Sequence, residues 1–528
     1  MIQGGRVARR AALGGILALT LASAWGQPAG PPGPPGPAPN PAGPAARGSG
    51  AQPSVAASAT PDGNRLPPDV TTRHVLPLDG RTLRFVSTVG AIRLSDEKGA
   101  PTAEVGVTAY LLENAPPAGR PVTFVFNGGP GMASAWLQMG AIGPWRINLD
   151  NQAGYPSAAP SPMANDETWL DFTDLVFLDP PGTGYANILS SSDDVRRQIW
   201  SVSGDVNVLA EAIRRWLDRN GRSVSPKYIT GESYGGFRAP RLARRLQSDE
   251  GVGVTGMILL SPLLDVHRES GHYDPFTWVD RLPSYAASAR ALTGPVTRAD
   301  LADAEAYAAG DYLLDVTRGD ADADAVARVS SHVAALTGLD PAEVRRFHGR
   351  VDTDAFQHLL YGKRNLVGSV YDATIARDDP FPLRPLSRSS ADAVLEGFKA
   401  PITSAMMAVY ADKLNWKPER SYRLANDRAF GQWDWGRGMD RPESVNALRV
   451  ALSLDPNLRV LVAHGLFDLR TPYFASELIL RMVPVPDIRQ RIRLQTYPGG
   501  HMFYSREDSR KAFRADVGWI FEPRTGGP

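Results

Sequence analysis

Short apolar or β-branched runs, bounded by glycine or proline, recur along the chain and predict strands. They occupy residues 121–126, 175–178, 228–230, 257–260 and 458–464. Unbroken apolarity of this kind is typical of strands that are buried on both faces, as in a parallel sheet. Ile492–Tyr497 alternates apolar and polar positions instead, as expected of a last strand.

The segments around these runs predict the rest of the fold. Residues 72–126 hold short strands and glycine turns, which indicate an antiparallel lead-in. A core helix is predicted before the strand at 228–230 from the helical spacing of Val206, Leu209, Ile213, Trp216 and Leu217. The pattern therefore predicts an α/β fold with a mostly parallel central sheet.

Residues 265–440 differ from the rest of the chain because they are rich in alanine and charged residues. They predict an inserted, mainly helical cap that separates two parts of the α/β domain, 72–264 and 441–528. The cap ends in Trp433-Asp434-Trp435. Lining of a substrate cleft is one use for these aromatic rings, but we expect them to pack against the core.

Composition narrows the functional classes. The chain has 528 residues, 43% hydrophobic and 21% charged, enough for a large core and a cap. Its 57 basic and 56 acidic residues give a net charge of +1, which argues against nucleic acid as a partner. The absence of cysteine excludes a thiol nucleophile, a disulfide and a zinc thiolate site. We expect no metal and no cofactor, and the sequence defines no oligomeric state.

The amino terminus resembles a secretory signal over residues 1–24. Arginines precede the apolar run 11–21, and Ala22-Ser23-Ala24 forms a cleavage site. The run is shorter than the roughly 20 apolar residues that span a bilayer, so no stable membrane anchor is expected. The pair Arg9-Arg10 leaves open twin-arginine export of a folded chain.

Residues 25–71 are rich in proline, glycine and alanine and predict a disordered linker. An exported chain without cysteine favours a bacterial periplasm or secretion from a bacterium.

The first chemical motif follows the strand at 228–230. Gly231-Glu232-Ser233-Tyr234-Gly235 is a Gly-x-Ser-x-Gly sequence, which is typical of a nucleophile elbow. Such an elbow is a sharp, strained turn from strand to helix that exposes the serine hydroxyl. An ordinary glycine–serine loop can carry the same letters, so Ser233 needs partners.

The partners must follow in the order acid, then histidine. The run 458–464 opens into a loop that ends at Asp468, the predicted acid. The last strand is followed by Pro498-Gly499-Gly500, which turns the chain toward His501, the predicted base. His464 shares a strand end with Asp468 and is expected to be a packed residue. The histidines that precede the acid are expected on the surface or in the cap, and they are His267, His272, His332, His348 and His358.

A glycine loop, Asn127-Gly128-Gly129-Pro130-Gly131, follows the run at 121–126. We predict that the backbone N–H groups of Gly129 and Tyr234 form an oxyanion hole, the alternative being a tight turn without a catalytic role. In the resulting hypothesis, His501 takes the proton of Ser233, Asp468 orients the imidazole, and water releases an acyl-enzyme.

Five ordered motifs together resemble the serine carboxypeptidase family, over roughly residues 75 to 520. They are Asn127–Gly131, Asp179–Tyr185, Gly231–Gly236, Gly465–Asp468 and Gly499–Met502. The resemblance implies an α/β-hydrolase fold with an inserted cap and a peptide substrate. It also implies that Asn127 and Glu232 hold the terminal carboxylate of the substrate and that Met502 lines the leaving-group pocket.

Two departures from the family pattern concern this carboxylate site. The family's carboxypeptidases carry a second glutamate two residues before a Gly-Pro pair, where this chain has Ala141, and a tryptophan where it has Val125. Two carboxyl groups in contact share a proton, which raises one pKa, and Glu232 lacks that partner. Arg238 is an alternative receptor for the carboxylate, if it does not pair with a structural acid.

Three functions follow in order. The first is a serine peptidase that cleaves at or near the carboxyl end of peptides. The second is an esterase or acyltransferase with the same triad, and the third is a catalytically silent binding protein.

Overall fold

A computed structural model describes residues 66–149, 155–269, 271, 273–362, 364–382, 392–436 and 442–522. The predicted signal peptide and the linker as far as residue 65 lie outside the described residues. All described residues belong to one unit, Gly63–Pro528. No helix in the described ranges is long and apolar enough to cross a membrane.

The described residues form thirteen strands, nine of which make one sheet. The strands are β1 Val70–Leu78, β2 Arg81–Ser95, β3 Pro101–Leu112, β4 Val122–Phe126, β5 Trp145–Arg146, β6 Met163–Ala164, β7 Asp174–Asp179, β8 Lys227–Glu232, β9 Gly256–Leu260, β10 Leu366–Gly368, β11 Ala376–Asp378, β12 Arg459–Gly465 and β13 Ile492–Tyr497. The large sheet has the order β1-β2-β3-β7-β4-β8-β9-β12-β13, and the other four strands form two short pairs.

Strand directions confirm a mostly parallel sheet with an antiparallel lead-in. β1, β2, β3 and β7 pair antiparallel in turn, whereas the strands from β7 to β13 pair parallel. The lead-in ends at β3, however, so its predicted extension to residue 126 is wrong. β4 lies between β7 and β8, because its fully buried residues need cover from both neighbours. β1 also begins at Val70, inside the predicted linker, and Leu66 is buried.

Helices cover the sheet and form the segment between β9 and β12. They are α1 Ala135–Leu137, α2 Asp193–Ile199, α3 Val202–Arg219, α4 Tyr234–Asp249, α5 Phe276–Val279, α6 Leu282–Ala291, α7 Ala302–Tyr307, α8 Leu313–Arg318, α9 Ala323–Thr337, α10 Pro341–Arg346, α11 Thr353–Leu359, α12 Ala393–Ala408, α13 Asp427–Gly431, α14 Val445–Leu454, α15 Tyr473–Arg481, α16 Ile488–Arg491 and α17 Glu507–Phe521. The predicted core helix is α3, and its apolar stripe is buried.

The predicted cap segment is mainly helical, but its two halves pack differently. α5 to α11 surround their own apolar cluster, in which Tyr285 stacks on Phe356 with ring centroids 3.9 Å apart. α12 instead packs into the core of the sheet, where its Phe398 joins Phe85 of β2. The predicted boundaries at 264 and 440 stay predictions.

The carboxyl ends of the parallel strands define the position of the candidate site. β8 ends beside Ser233, β12 leads to Asp468, and β13 leads to His501. The loops after β12 and β13 are tied together, since the N–H of Phe467 donates to the carbonyl of Gly499 at 2.8 Å. Parallel pairing thus brings together residues that are hundreds of positions apart in the sequence.

Gly465, the last residue of β12, tests how tightly these two loops must pack. A Cβ at this position would collide with the carbonyl oxygen of Gly500 and lie 2.5 Å from that of Gly499. We expect Gly465→Ala to lower the free energy of unfolding by about 1–3 kcal/mol, because backbone atoms must move. Urea denaturation measures the change.

Gly518→Ala is the matched control, since a Cβ there meets no atom within 4 Å and the site lies inside α17. It should stabilise the chain by about 0.5–1 kcal/mol, because alanine favours the helix. Equal effects of the two substitutions would contradict the close packing of the loops.

Candidate active site

The structure places Ser233 at a sharp turn between a strand and a helix. β8 ends at Glu232, α4 begins at Tyr234, and Ser233 between them has φ 60° and ψ −122°. Positive φ is costly for a residue with a Cβ, and such strain is characteristic of functional turns. A Cβ at Gly231 would collide with the carbonyl oxygen of Gly235, so the turn also needs glycine there. The local geometry is that of a nucleophile elbow.

Asp468 and His501 are in direct contact away from water. Nδ1 of His501 lies 2.8 Å from Oδ2 of Asp468, and the two side chains are 4% and 0% exposed. The backbone N–H groups of Arg470 and Thr471 donate to Oδ1 of Asp468 at 2.8 and 3.1 Å. These donors hold the carboxylate in place. Because Nδ1 faces the carboxylate, Nε2 is the ring nitrogen left for another partner.

The charge environment of His501 favours the protonated imidazole. Burial by itself lowers the pKa of His501, but the charge of Asp468, the hydrogen bond to it and the charge of Glu232 together raise it above its ordinary value. An imidazole in this setting is suited to accept a proton and to hold it while negative charge develops nearby.

A cleft of about 620 Å³ brings the predicted residues together. Ser233 and His501 line it, and so do four other predicted site residues, which are Asn127, Gly129, Glu232 and Met502. Residues of the cap segment complete its wall, among them Thr353 and Gln357. Within the described residues, no cluster of three or more histidine, aspartate or glutamate side chains could hold a metal ion.

The glycine loop after β4 lies against the elbow. A Cβ on Gly128 would be 2.5 Å from the backbone nitrogen of Tyr234, so only glycine allows this approach. Gly128 and Gly129 line the cleft. Tyr234 is the first residue of α4, and its N–H has no partner four residues earlier within the helix. The arrangement is compatible with the predicted pair of donors, Gly129 and Tyr234.

Glu232, next to the nucleophile, is buried and hydrogen-bonded. Its Oε2 accepts from Nδ2 of Asn127 at 2.7 Å and from the hydroxyl of Tyr504 at 2.8 Å. Burial raises the pKa of Glu232 to about 7, against the lowering effects of His501 and of these two hydrogen bonds. An upward shift therefore exists without a second glutamate, contrary to the expectation from Ala141 alone.

Arg238 is not the carboxylate receptor that the sequence left open. Its side chain is 1% exposed and forms a bidentate ion pair with Asp205 at 2.5 and 3.2 Å. It also donates to the carbonyl of Asn127 at 2.8 Å, on the side of the loop away from the cleft. The hypothesis is wrong because the first turns of α4 direct Arg238 into the core, where it pairs with a structural acid.

His464 is a packed residue, as expected. It is fully buried, its Nε2 lies 2.9 Å from the hydroxyl of Ser476, and burial lowers its pKa to about 4. The tryptophans at the end of the cap segment also pack, since Trp433 and Trp435 meet the ring of Tyr234 edge-on at 5.4 Å.

Sequence reasoning missed three residues that support the site. Thr471 Oγ1 lies 2.8 Å from Oδ2 of Asp468, and the hydroxyl of Ser261 donates to the carbonyl of His501 at 2.9 Å. The third is Tyr504, the partner of Glu232. No motif singles out these positions, because each acts through a contact that only the folded chain creates.

Comparisons with known proteins agree with this geometry. Residues 110–302 match the family model described as serine carboxypeptidase. Serine carboxypeptidase-like 28 of Arabidopsis thaliana is 29% identical over 183 residues, which cover 32% of this chain and 37% of that protein. Pheromone-processing carboxypeptidase KEX1 of Yarrowia lipolytica is 26% identical over 186 residues, which cover 34% of this chain and 28% of that protein. The chain thus spans well under half the length of both relatives.

Among solved structures, proline iminopeptidase of Mycobacterium smegmatis aligns with 82% of this chain and 97% of its own, at 14% identity. Its TM-score of 0.36 is too low to add to the argument. The family match includes both the glycine loop and the elbow, and the curated relatives carry the same family name. The chain therefore belongs to the serine carboxypeptidase family, a family of serine hydrolases with the α/β-hydrolase fold.

Proposed function

We propose that this chain is a serine peptidase that hydrolyses peptide bonds at or near the carboxyl end of its substrate. The observation that carries the proposal is the strained elbow at Ser233, which shares a cleft with a His501 that is bonded to the buried Asp468. Family membership supports a peptide as the substrate.

The proposed mechanism assigns one role to each residue of the triad. His501 accepts the hydroxyl proton of Ser233 through Nε2, and the Ser233 oxygen attacks the carbonyl carbon of the substrate. Asp468 keeps the proton of the imidazole on Nδ1 and stabilises the imidazolium that forms. His501 then protonates the leaving amine, and a water molecule, activated by the same histidine, releases the acyl group from Ser233.

The oxyanion of each tetrahedral intermediate needs donors beside the elbow. We assign this role to the backbone N–H groups of Gly129 and Tyr234. The N-terminus of α4, a helix of 16 residues, adds a favourable dipole at the same place. On the leaving-group side we assign substrate contacts to Asn127, Glu232 and Met502, which line the cleft.

An esterase or acyltransferase is the second candidate. It is favoured by Ala141, a small buried residue where the family's carboxypeptidases have an acid, because the triad does not depend on that acid but recognition of a peptide carboxylate does.

The first test separates a working triad from a silent binding protein. We expect a phosphonofluoridate to label the chain once, at Ser233, and Ser233→Ala to abolish labelling and to reduce kcat by at least about 10⁴-fold, because the nucleophile is lost. Labelling is read by mass spectrometry. Ser261→Ala is the control, since this buried serine only supports the His501 backbone and should leave labelling at Ser233 intact. Unlabelled protein would contradict the proposal.

The choice between peptidase and esterase needs a substrate panel. A blocked dipeptide, its amide and a simple ester of the same acyl group should all be hydrolysed by a peptidase. Hydrolysis of the ester alone would favour the second candidate.

The pH dependence tests the assignment of His501. The base must be neutral, so kcat/KM should fall as pH falls through the raised pKa of His501 and should persist at neutral pH. Asp468→Asn removes the charge that raises this pKa, so the acid limb should move to lower pH while kcat drops by roughly 10³–10⁴-fold. Profiles on the amide and the ester measure both effects. An acid limb that does not move would exclude the Asp468–His501 pair as its origin.

We also propose export to a bacterial periplasm, directed by residues 1–24. The support is the basic, apolar and small-residue order of that segment. Residues 1–30 fused to a reporter that is active only after export should give activity, and Ala24→Asp should block cleavage. A reporter that stays inactive would contradict export.

A further inference from the structure

Glu232 is held so that only one of its two oxygens is open to the cleft. Tyr504 and Asn127 both donate to Oε2, at 2.8 and 2.7 Å. Within the described part of the chain, no donor lies within hydrogen-bond distance of Oε1. Because Glu232 lines the cleft beside Ser233, Oε1 is the oxygen that a leaving group can reach.

The Asn127 donor is fixed by its own backbone contacts. The N–H of Leu137 donates to Oδ1 of Asn127 at 3.1 Å, which directs Nδ2 toward Glu232. Arg238 donates to the Asn127 carbonyl at 2.8 Å and fixes the loop from behind. This amide therefore cannot turn to offer Glu232 an acceptor.

Tyr504 is fixed just as firmly. It is 1% exposed, and Arg510 donates to its carbonyl at 3.0 Å. Its ring lies against the helical turn Gln138–Ile142, where a Cβ on Gly140 would be 2.6 Å from Cε2 of the ring. The same turn carries Ala141, the position at which the family's carboxypeptidases have their second glutamate. The tyrosine hydroxyl thus meets Glu232 from the part of the site where that carboxyl is missing.

We propose that Tyr504 is a positioning residue that takes over from the second carboxyl as the partner of Glu232, so that Glu232 titrates alone and binds a leaving-group carboxylate only while it carries its own proton on Oε1. The proposal rests on the proposed function and names its substrate condition. Free-carboxylate peptides are substrates below the titration of Glu232, whereas peptide amides and esters are substrates on both sides of it.

The physical reason lies in what a phenol can and cannot exchange. Two carboxyl groups share one proton, and the pair retains it to a higher pH than either group alone. A phenol donates its proton to a carboxylate but does not give it up, and therefore it stabilises the ionised Glu232. Burial raises the pKa of Tyr504 well above its ordinary value, so the hydroxyl remains a donor.

The other groups that act on Glu232 are known from the structure. His501, on the loop after β13, lowers the pKa of Glu232, and Asp468, on the loop after β12, raises it. Burial is the largest effect, and the resulting pKa is about 7. Titration of His501 changes the turnover of every substrate alike, so a comparison of two leaving groups isolates Glu232.

The experiment measures KM and kcat against pH for a blocked dipeptide with a free carboxylate and for its amide, between about pH 5 and pH 9. In the natural protein, KM for the free-carboxylate peptide should rise about tenfold per pH unit above the titration of Glu232, while KM for the amide stays flat. Tyr504→Phe removes one donor to the carboxylate. Its rise in KM should begin about one pH unit higher, which lowers KM for the free-carboxylate peptide roughly tenfold at alkaline pH.

Tyr410→Phe is the matched control. Tyr410 is a buried tyrosine of the same apolar core, and its hydroxyl contacts Thr108 rather than Glu232. It should leave both pH profiles unchanged. If Tyr504→Phe shifts neither profile, or shifts those of both peptides equally, Tyr504 has only a structural role and the proposal is overturned.

Glu232→Gln provides a second readout if Tyr504→Phe does not fold. An amide at this position cannot titrate, so the rise in KM of the free-carboxylate peptide must disappear, and a rise that persists overturns the proposal. The proposed function fails separately, through the absence of labelling at Ser233. A labelled, active enzyme with the same KM profile on both peptides leaves the peptidase in place and removes the role of Tyr504.

Discussion

The buried hydrogen bond between His501 and Asp468 is the interaction on which the candidate site depends. A carboxylate away from water is costly unless donors surround it, and the two backbone N–H groups after Asp468 together with the imidazole meet that requirement. The bond sets the direction of the His501 ring. It exists only because β12 and β13 pair in parallel and end at the same edge of the sheet.

Around this pair, the site uses close backbone approach rather than side-chain bulk. Glycines allow the loop after β4 to touch the elbow and the loop after β12 to touch that after β13. Larger residues would separate the groups by an ångström or more, which is enough to weaken catalysis strongly. The strain at Ser233 belongs to the same design, since only a rigid surrounding structure can maintain a serine at positive φ.

Glu232 shows how burial and hydrogen bonding oppose each other at one carboxyl group. Desolvation favours the neutral acid, whereas Asn127 and Tyr504 favour the carboxylate, and burial is the larger effect. A pattern comparison that registers only the missing acid at Ala141 therefore predicts the wrong direction for the pKa. The tertiary contact with Tyr504 adds a donor for which the sequence holds no signal.

Local patterns were sufficient for the sheet, the elbow and the order of the proposed triad. Apolar runs mark buried strands, and glycine marks the turns that follow them, so Ser233, Asp468 and His501 could be identified as strand-end residues. The central position of β4, the two packing modes of the cap segment and the pairing of Arg238 with Asp205 were not accessible in this way. The sequence by itself determined which residues end strands and can carry chemistry, because these signals are local; only the tertiary structure decided which of them touch, because contacts such as Tyr504 with Glu232 join distant parts of the chain.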